Sequence, residues 1–232
     1  MTITFITGAN KGLGYETARR LVDLGHTVIL GARDPHRGAQ AAATLGARFV
    51  RIDVTDDASV TAAAADVAAH EGHVDVLVNN AGVHGPFGAP GTLTGDDVLS
   101  VFDVNVAGVV RTTTAFLPLL EKSSDPAIVN VSSGMGSLEL THDPARDESA
   151  VVVPVYSASK AAVTMLTTQY ARGLPHVRVN AADPGYTATD LNGNTGHQTV
   201  TEGTDAIVLL ATETAGAGTG RLVDRTGETS WS

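Results

Sequence analysis

A phenol and an amine stand four residues apart in this chain, at Tyr156 and Lys160. If the segment is helical, both side chains leave from one face. A free tyrosine ionises near pKa ~10, and an ammonium beside it favours the phenolate, which brings the group toward a useful acid or base. Such a pair is common on surface helices, so its meaning depends on what else the fold brings to it. The second constellation is Thr7-Gly8-Ala9-Asn10-Lys11-Gly12-Leu13-Gly14. An apolar run precedes it and a helical pattern follows, so backbone N–H groups and a helix N-terminus face whatever binds there. A pyrophosphate fits that description, although the glycine spacing alone also suits a plain turn between strand and helix.

The elements that must position these residues follow from hydrophobic period. Residues 2–7, 27–30, 48–52, 74–78, 127–131 and 177–181 form short apolar runs with β-branched residues, bounded by Gly, Asp or Asn, and are predicted strands. Helical patterns cover 14–24, 35–45, 56–70, 95–121, 155–173 and 199–211. This alternation predicts an α/β fold, a doubly wound parallel sheet with helices on both faces and ligands gathered at the carboxyl ends of the strands. The glycine loop is then the first strand-to-helix turn, where such a fold needs close backbone approach to a ligand.

Length and composition agree. The 232 residues suit one dinucleotide-binding and catalytic domain over 1–232, and 43% hydrophobic against 17% charged residues implies a compact core. Acidic residues outnumber basic ones 25 to 15, for a net charge of -10, which repels nucleic acid and acidic lipid surfaces. The chain has no cysteine, so disulfides, thiolate metal sites and cysteine nucleophiles are excluded. No basic leader or long apolar stretch precedes Ile3, and the expectation is a cytoplasmic protein with no signal peptide or membrane span.

With these motifs in hand, the chain resembles the short-chain dehydrogenase/reductase family, whose glycine motif reads TGxxxGxG. The likeness continues in order through Asp53-Val54, Asn79-Asn80-Ala81-Gly82, Asn105, Ser133, Tyr156-Ser157-Ala158-Ser159-Lys160 and Pro184-Gly185. It implies a Rossmann-type fold and a nicotinamide cofactor held by Gly8, Asn10, Lys11, Gly12, Leu13 and Gly14 of the loop. It further implies that Asp53, with Val54, contacts the adenine, that Asn80, Ala81 and Gly82 support the sheet beside the cofactor, and that Pro184, Gly185, Thr187 and Thr189 hold the carboxamide. By the same resemblance Tyr156 is the proton donor, Lys160 lowers its pKa and binds the nicotinamide ribose, Ser133 orients substrate, and Asn105 anchors a water. Ser132 directly precedes Ser133; strand alternation sends the two to opposite faces, and the family motif places the catalytic residue second.

Charge argues for the phosphorylated form of the cofactor. Selectors of the unphosphorylated form place an acid at the end of the second strand, where this chain has Gly31-Ala32-Arg33. Arg33 offers a guanidinium fork for a 2′-phosphate, and Lys11 adds a second positive charge, so NADP(H) is expected. Asp34 is an adverse neighbour that can pair with Arg33. Segments 134–155 and 185–199 are expected to shape the substrate pocket. The first is longer than is usual in the family, a departure shared with its monomeric carbonyl reductases and related plant ketone reductases. That likeness implies a small ketone or aldehyde substrate, and it leaves both a homo-oligomer and a monomer open. An alternative from another class is a non-catalytic NADP-binding redox sensor; such proteins usually lose the Tyr or Lys that this chain keeps.

Other features stay outside the site. His70 and His73 beside Glu71 have metal-like spacing but no further clustered ligands, so no metal is expected. His84, His142 and His197 fall on predicted loops near the site, where surface exposure is the plainer reading. Trp231 is expected to pack in the core in preference to a dimer contact, and Asp183, charged where the family is commonly apolar, has no account from sequence.

Overall fold

Eight strands form one continuous sheet in the computed structural model, which describes residues 1–231. In chain order they are β1 (Ile3–Ile6), β2 (Thr27–Ala32), β3 (Arg48–Arg51), β4 (Val76–Asn79), β5 (Ala127–Val131), β6 (Arg178–Ala182), β7 (Leu222–Asp224) and β8 (Gly227–Thr229). They lie in the order β3-β2-β1-β4-β5-β6-β7-β8, parallel up to β7, with β8 antiparallel at the edge. The winding reverses between β1 and β4, and a crevice opens there at the carboxyl ends of the strands.

The helices are α1 (Gly12–Asp23), α2 (Pro35–Leu45), α3 (Asp57–His70), α4 (Gly95–Phe102), α5 (Gly108–Leu120), α6 (Leu138–His142), α7 (Pro154–Gly173), α8 (Val200–Gly203) and α9 (Asp205–Thr212). Strand alternation divides the core between the two faces of the sheet. Ile6, Leu30, Val78 and Val129 pack with residues of α1, α2 and α9, whereas Phe5, Ile29, Leu77 and Ile128 pack with residues of α3, α5 and α7. On the second face the Phe5 and Phe116 rings meet at 4.4 Å, both fully buried. Between β4 and β5 a buried polar ladder replaces apolar contact. Thr112 Oγ1 donates to Asn79 Oδ1 at 2.6 Å, Asn79 Nδ2 to Asn130 Oδ1 at 2.9 Å, and Asn130 Nδ2 to Thr167 Oγ1 at 2.9 Å. It joins α5 and α7 to the sheet and leaves these buried amides partnered.

The six predicted strands and the doubly wound topology are present, and several boundaries differ. The single helix expected over 95–121 is interrupted by a π-helical turn, Asp103–Ala107, where the Gly108 N–H bonds back to the Asp103 carbonyl. One inserted residue leaves hydrophobic period almost unchanged, so the pattern reads as one helix. The helix expected over 199–211 is two pieces, α8 and α9, meeting at Thr204. Strands β7 and β8 have three residues each, too short to show a period. Segment 134–155 holds α6 and two turns of 3-10 helix, Gly134–Gly136 and Asp147–Ala150. Trp231 is half-buried rather than in the core. Among the described residues no helix is long and apolar enough to cross a membrane, and no cluster of three or more His, Asp or Glu side chains is placed to hold a metal. His70 turns back to its own helix at Asp66, and His73 faces Asp75.

Candidate active site

The glycine loop is built by exclusion of side chains. Gly8 and Gly12 have φ of +64° and +55°, a region that favours glycine. A Cβ on Gly14 would stand 2.4 Å from Asn80 Nδ2 and 2.8 Å from the Gly8 carbonyl oxygen, so α1 packs against the strand ends only because position 14 is bare. Asn80 fastens the loop: its Nδ2 donates to the Thr7 and Gly8 carbonyls at 2.8 and 3.2 Å, and the Asn80 and Ala81 N–H groups donate to Thr7 Oγ1. This bare, fastened loop ahead of the α1 N-terminus is a cradle for an anionic phosphate bridge.

From the loop a cleft of about 1060 Å³ runs across the strand ends. Gly8, Asn10, Lys11, Gly12, Leu13, Gly14, Arg33, Asp53, Val54, Asn80, Ala81 and Gly82 line it at one end, and Ser133, Tyr156, Lys160, Pro184, Gly185, Thr187 and Thr189 at the other. Arg33 is exposed, and among the described residues it makes no ion pair, because Asp34 instead caps α2 through the His36 and Arg37 N–H groups and pairs with Arg37 at 2.8 Å. Burial works against the Asp53 carboxylate, but bonds from Thr55 and the charges of Arg33 and Arg51 hold its pKa below the usual range. Lys11 lines the same end of the cleft, and its ammonium bonds Asp190 at 2.9 Å. The long lysine side chain at the cleft mouth reaches the nearest carboxylate.

Tyr156 and Lys160 occupy the first two turns of α7, which Pro154 starts. Lys160 is 6% exposed; its Nζ donates to the Val131 carbonyl at 2.8 Å and lies 5.6 Å from the centre of the Tyr156 ring. Burial pushes Lys160 down to about 8, opposed by Asp183, and pushes Tyr156 up to about 12, opposed by the Ser133 hydroxyl. For the phenol, desolvation is the largest of these effects, and the Asp183 charge adds to it. Of the adjacent serines, Ser132 is buried, bonded to the Lys160 carbonyl and Thr164, while the half-buried Ser133 sits beside Tyr156 and caps the Gly134–Gly136 turn.

Asn105 falls within the π-helical turn, 1% exposed. Its Oδ1 accepts the Val83 N–H at 2.8 Å, and its Nδ2 donates to the Val83 carbonyl and Ser159 Oγ at 2.9 Å. The side-chain amide therefore fixes the chain after Asn-Asn-Ala-Gly against α7. Thr187 also turns inward: its hydroxyl donates to the Pro184 carbonyl at 2.8 Å, leaving the backbone of its loop along the cleft.

Several site residues were not legible beforehand. His84, read as a surface residue, is half-buried and stacks between Phe87, at 3.9 Å, and the Tyr156 ring, at 4.8 Å. Burial lowers its pKa, so the ring is neutral at neutral pH. Met135, Glu148, Val151, Val153 and Leu191 also line the cleft, and these come from the two segments, 134–155 and 185–199, that the sequence marks for the pocket. The position of His84 two residues after Asn-Asn-Ala-Gly is the one sequence signal that could have marked it. His197 approaches Asp147 at 3.5 Å and Tyr186 at 5.8 Å, joining segments 134–155 and 185–199, which both flank the cleft. His142 is exposed and bonds its own helix at the Leu138 carbonyl.

Residues 2–200 match the short chain dehydrogenase family model. A short-chain dehydrogenase of Penicillium roqueforti, anuI, is 36% identical over 224 residues, covering 91% of this chain and 88% of that one. The (+)-neomenthol dehydrogenase of Arabidopsis thaliana is 32% identical over 265 residues, with 89% and 90% covered. The NADPH-bound carbonyl reductase from chicken fatty liver superposes with a TM-score of 0.88 at 27% identity, covering 100% of both chains. A glycine loop packed under Asn80, a reversing parallel sheet and a family match through most of its length lead to one conclusion: this chain belongs to the short-chain dehydrogenase family of oxidoreductases.

Proposed function

We propose that the protein is an NADP(H)-dependent carbonyl reductase that converts a small ketone or aldehyde to the alcohol, or runs the reverse reaction. The observation that carries this reading is that Tyr156, Ser133 and Lys160 line the same cleft as the Gly8–Gly14 loop. When bound, the nicotinamide cofactor supplies or accepts the hydride. The residues that would hold it are the glycine loop at the pyrophosphate, Asp53 and Val54 at the adenine, Asn80, Ala81 and Gly82 along the middle, and Pro184, Gly185, Thr187 and Thr189 at the carboxamide. Arg33, exposed and without an ion pair among the described residues, follows β2 where Ala32 replaces an acid, and it suits a 2′-phosphate.

At the other end of the cleft Ser133 orients the carbonyl oxygen, and Tyr156 gives that oxygen its proton as negative charge develops there. A phenol held near about 12 is fully protonated at neutral pH, and a developing alkoxide is a stronger base than phenolate. The buried Lys160 ammonium supplies positive charge against the phenolate that remains. Asn105 keeps the backbone at Val83 in place behind Tyr156. The walls from His84, Phe87, Met135, Val151 and Val153 suit a substrate with a flat or apolar body, and the carboxyl groups of Asp147 and Glu148 among them disfavour an anionic one.

The test is oxidation of NADPH and NADH by the pure protein against aldehydes, α-diketones, cyclic ketones and terpenoid or steroid ketones. Turnover with NADPH on neutral carbonyls is expected. Tight NADPH binding with no turnover on any of them would overturn the reductase reading in favour of a redox sensor.

A further inference from the structure

Asp183, the residue before the Pro184–Gly185 turn, is 2% exposed and has no part in the chemistry above. Its Oδ1 accepts the Gly185 N–H at 3.0 Å, and the Gly134 N–H also faces it. Its Oδ2 is buried without a hydrogen-bond partner. What Oδ2 faces is the space above Gly134. A Cβ there would stand 2.8 Å from Asp183 Oδ2 and 2.3 Å from Glu148 Oε1, so both carboxyl groups border one small volume that only a glycine leaves open. Glu148 arrives from the strap of residues 137–153 that crosses the site, its side chain 11% exposed.

The charges around this point are few. Arg146 of the strap bonds both oxygens of Glu148 at 3.2 Å and also faces Asp183. Asp224 approaches from β7, but its carboxylate is engaged by Thr226 and the Gly227 N–H. From α7, Tyr156 and Lys160 face Asp183, and the Lys160 ammonium is bonded to the Val131 carbonyl. Asp183 and Glu148 therefore border one small volume, with the Arg146 guanidinium and the Lys160 ammonium the cations beside them. An ionised Asp183 with one oxygen unbonded is costly at this depth, and a proton on Oδ2 removes that cost. The same proton makes Oδ2 a donor facing the volume that Glu148 Oε1 borders.

We propose that Asp183 keeps its proton and donates it in a hydrogen bond to the Glu148 carboxylate, and is thereby a positioning residue that clasps the 137–153 strap to the Pro184–Gly185 turn beside Ser133. Burial moves Asp183 above the ordinary carboxylate range, and the Glu148 charge adds to that rise. The clasp closes one wall of the cleft and sets where Val151 and Val153 stand relative to the reacting carbonyl. When the proton leaves, two like charges push the strap off the turn.

The experiment needs neither cofactor nor substrate, so its failure is separate from failure of the reductase reading. Thermal melting of the wild type, Asp183→Asn and Asp183→Leu is followed from about pH 5 to 8. The native protein keeps a proton that the unfolded chain loses above the usual carboxylate range, so wild-type stability falls as pH rises toward the native pKa. Asp183→Asn keeps a donor toward Glu148 and an acceptor for Gly185 with no proton to lose. Its melting temperature should therefore gain on the wild type by about 3 °C or more across that range, with Asp183→Leu below it throughout. Glu148→Gln should remove the same pH dependence. Hydrogen exchange should show residues 137–153 losing protection at high pH in the wild type and keeping it in Asp183→Asn. A constant difference between the wild type and Asp183→Asn at every pH, or strap protection that ignores the substitution, overturns the proposal.

Discussion

The two ends of the cleft are built on opposite principles. At the glycine-loop end the ligand-facing surface is largely backbone, held by short bonds between regular elements, with Asn80 tying the loop to β4 and bare positions at Gly8 and Gly14. At the Tyr156 end the surface is side chain, with Tyr156 and Lys160 on α7 and most of the rest hung on irregular segments held by Arg146 with Glu148, Asp147 with His197, and Asp183. The first end has little freedom and little that titrates. The second carries most of the titratable groups and most of the loops, so pH and substitution should act there on turnover, whereas they act on binding at the first.

The largest effect tests the division at its chemical end. Tyr156→Phe should lower kcat by about 100-fold or more and leave the cofactor dissociation constant nearly unchanged, because the acid step alone is lost. A variant with most of its rate would remove Tyr156 from the mechanism. The matching change at the other end is Gly14→Val, which drives atoms into Asn80 and the Gly8 carbonyl. It should weaken cofactor binding by more than about tenfold and lower the melting temperature, as overpacking costs about 1–3 kcal/mol; calorimetry and a thermal melt check both.

Arg33→Asp should raise the dissociation constant for NADPH about tenfold or more over that for NADH, the scale of one lost charge-assisted contact met by repulsion. Equal effects on the two would show that Arg33 does not read the phosphate. His84→Ala removes the ring stacked on Tyr156, worth about 0.5–1.5 kcal/mol, and should raise KM a few-fold with a smaller change in kcat. A kcat loss larger than the KM rise would move His84 from the wall into the acid machinery.

The pH profile sharpens the same contrast. Lys160 is charged below about 8 and neutral above it, so kcat/KM, which reports the free enzyme, should fall as pH rises through that value. The cofactor dissociation constant should move less over the same range if the phosphate end carries most of the binding. A flat kcat/KM up to the phenol's own range would show that the ammonium is not needed.

The order of legibility follows the same division. Gly8, Gly12 and Gly14, the β1 run and Asn80 were readable because backbone approach has a sequence signature: only glycine fits, and buried strands are continuous apolar runs. Tyr156 and Lys160 were readable as a spaced pair, whereas Ser133 was chosen over Ser132 by the family resemblance, strand alternation showing only that the two face opposite ways. The break at Asp103–Ala107 was not, since one inserted residue hardly disturbs helical period, and β7 and β8 were too short to carry any. Asp34 looked like a competitor for Arg33 and is instead the cap of α2, a local bond that forms before any ligand is considered.

The amino-acid sequence by itself determined the doubly wound sheet, the glycine cradle and the identity of the phenol and amine that face it, because period, glycine and spacing are local properties of a chain. The tertiary structure alone decided that His84 lies on Tyr156, that Lys11 reaches Asp190, and that Glu148 meets Asp183 over Gly134. Those contacts join residues far apart in the chain or set on irregular loops, and their energies depend on burial and charge balance that no local pattern records.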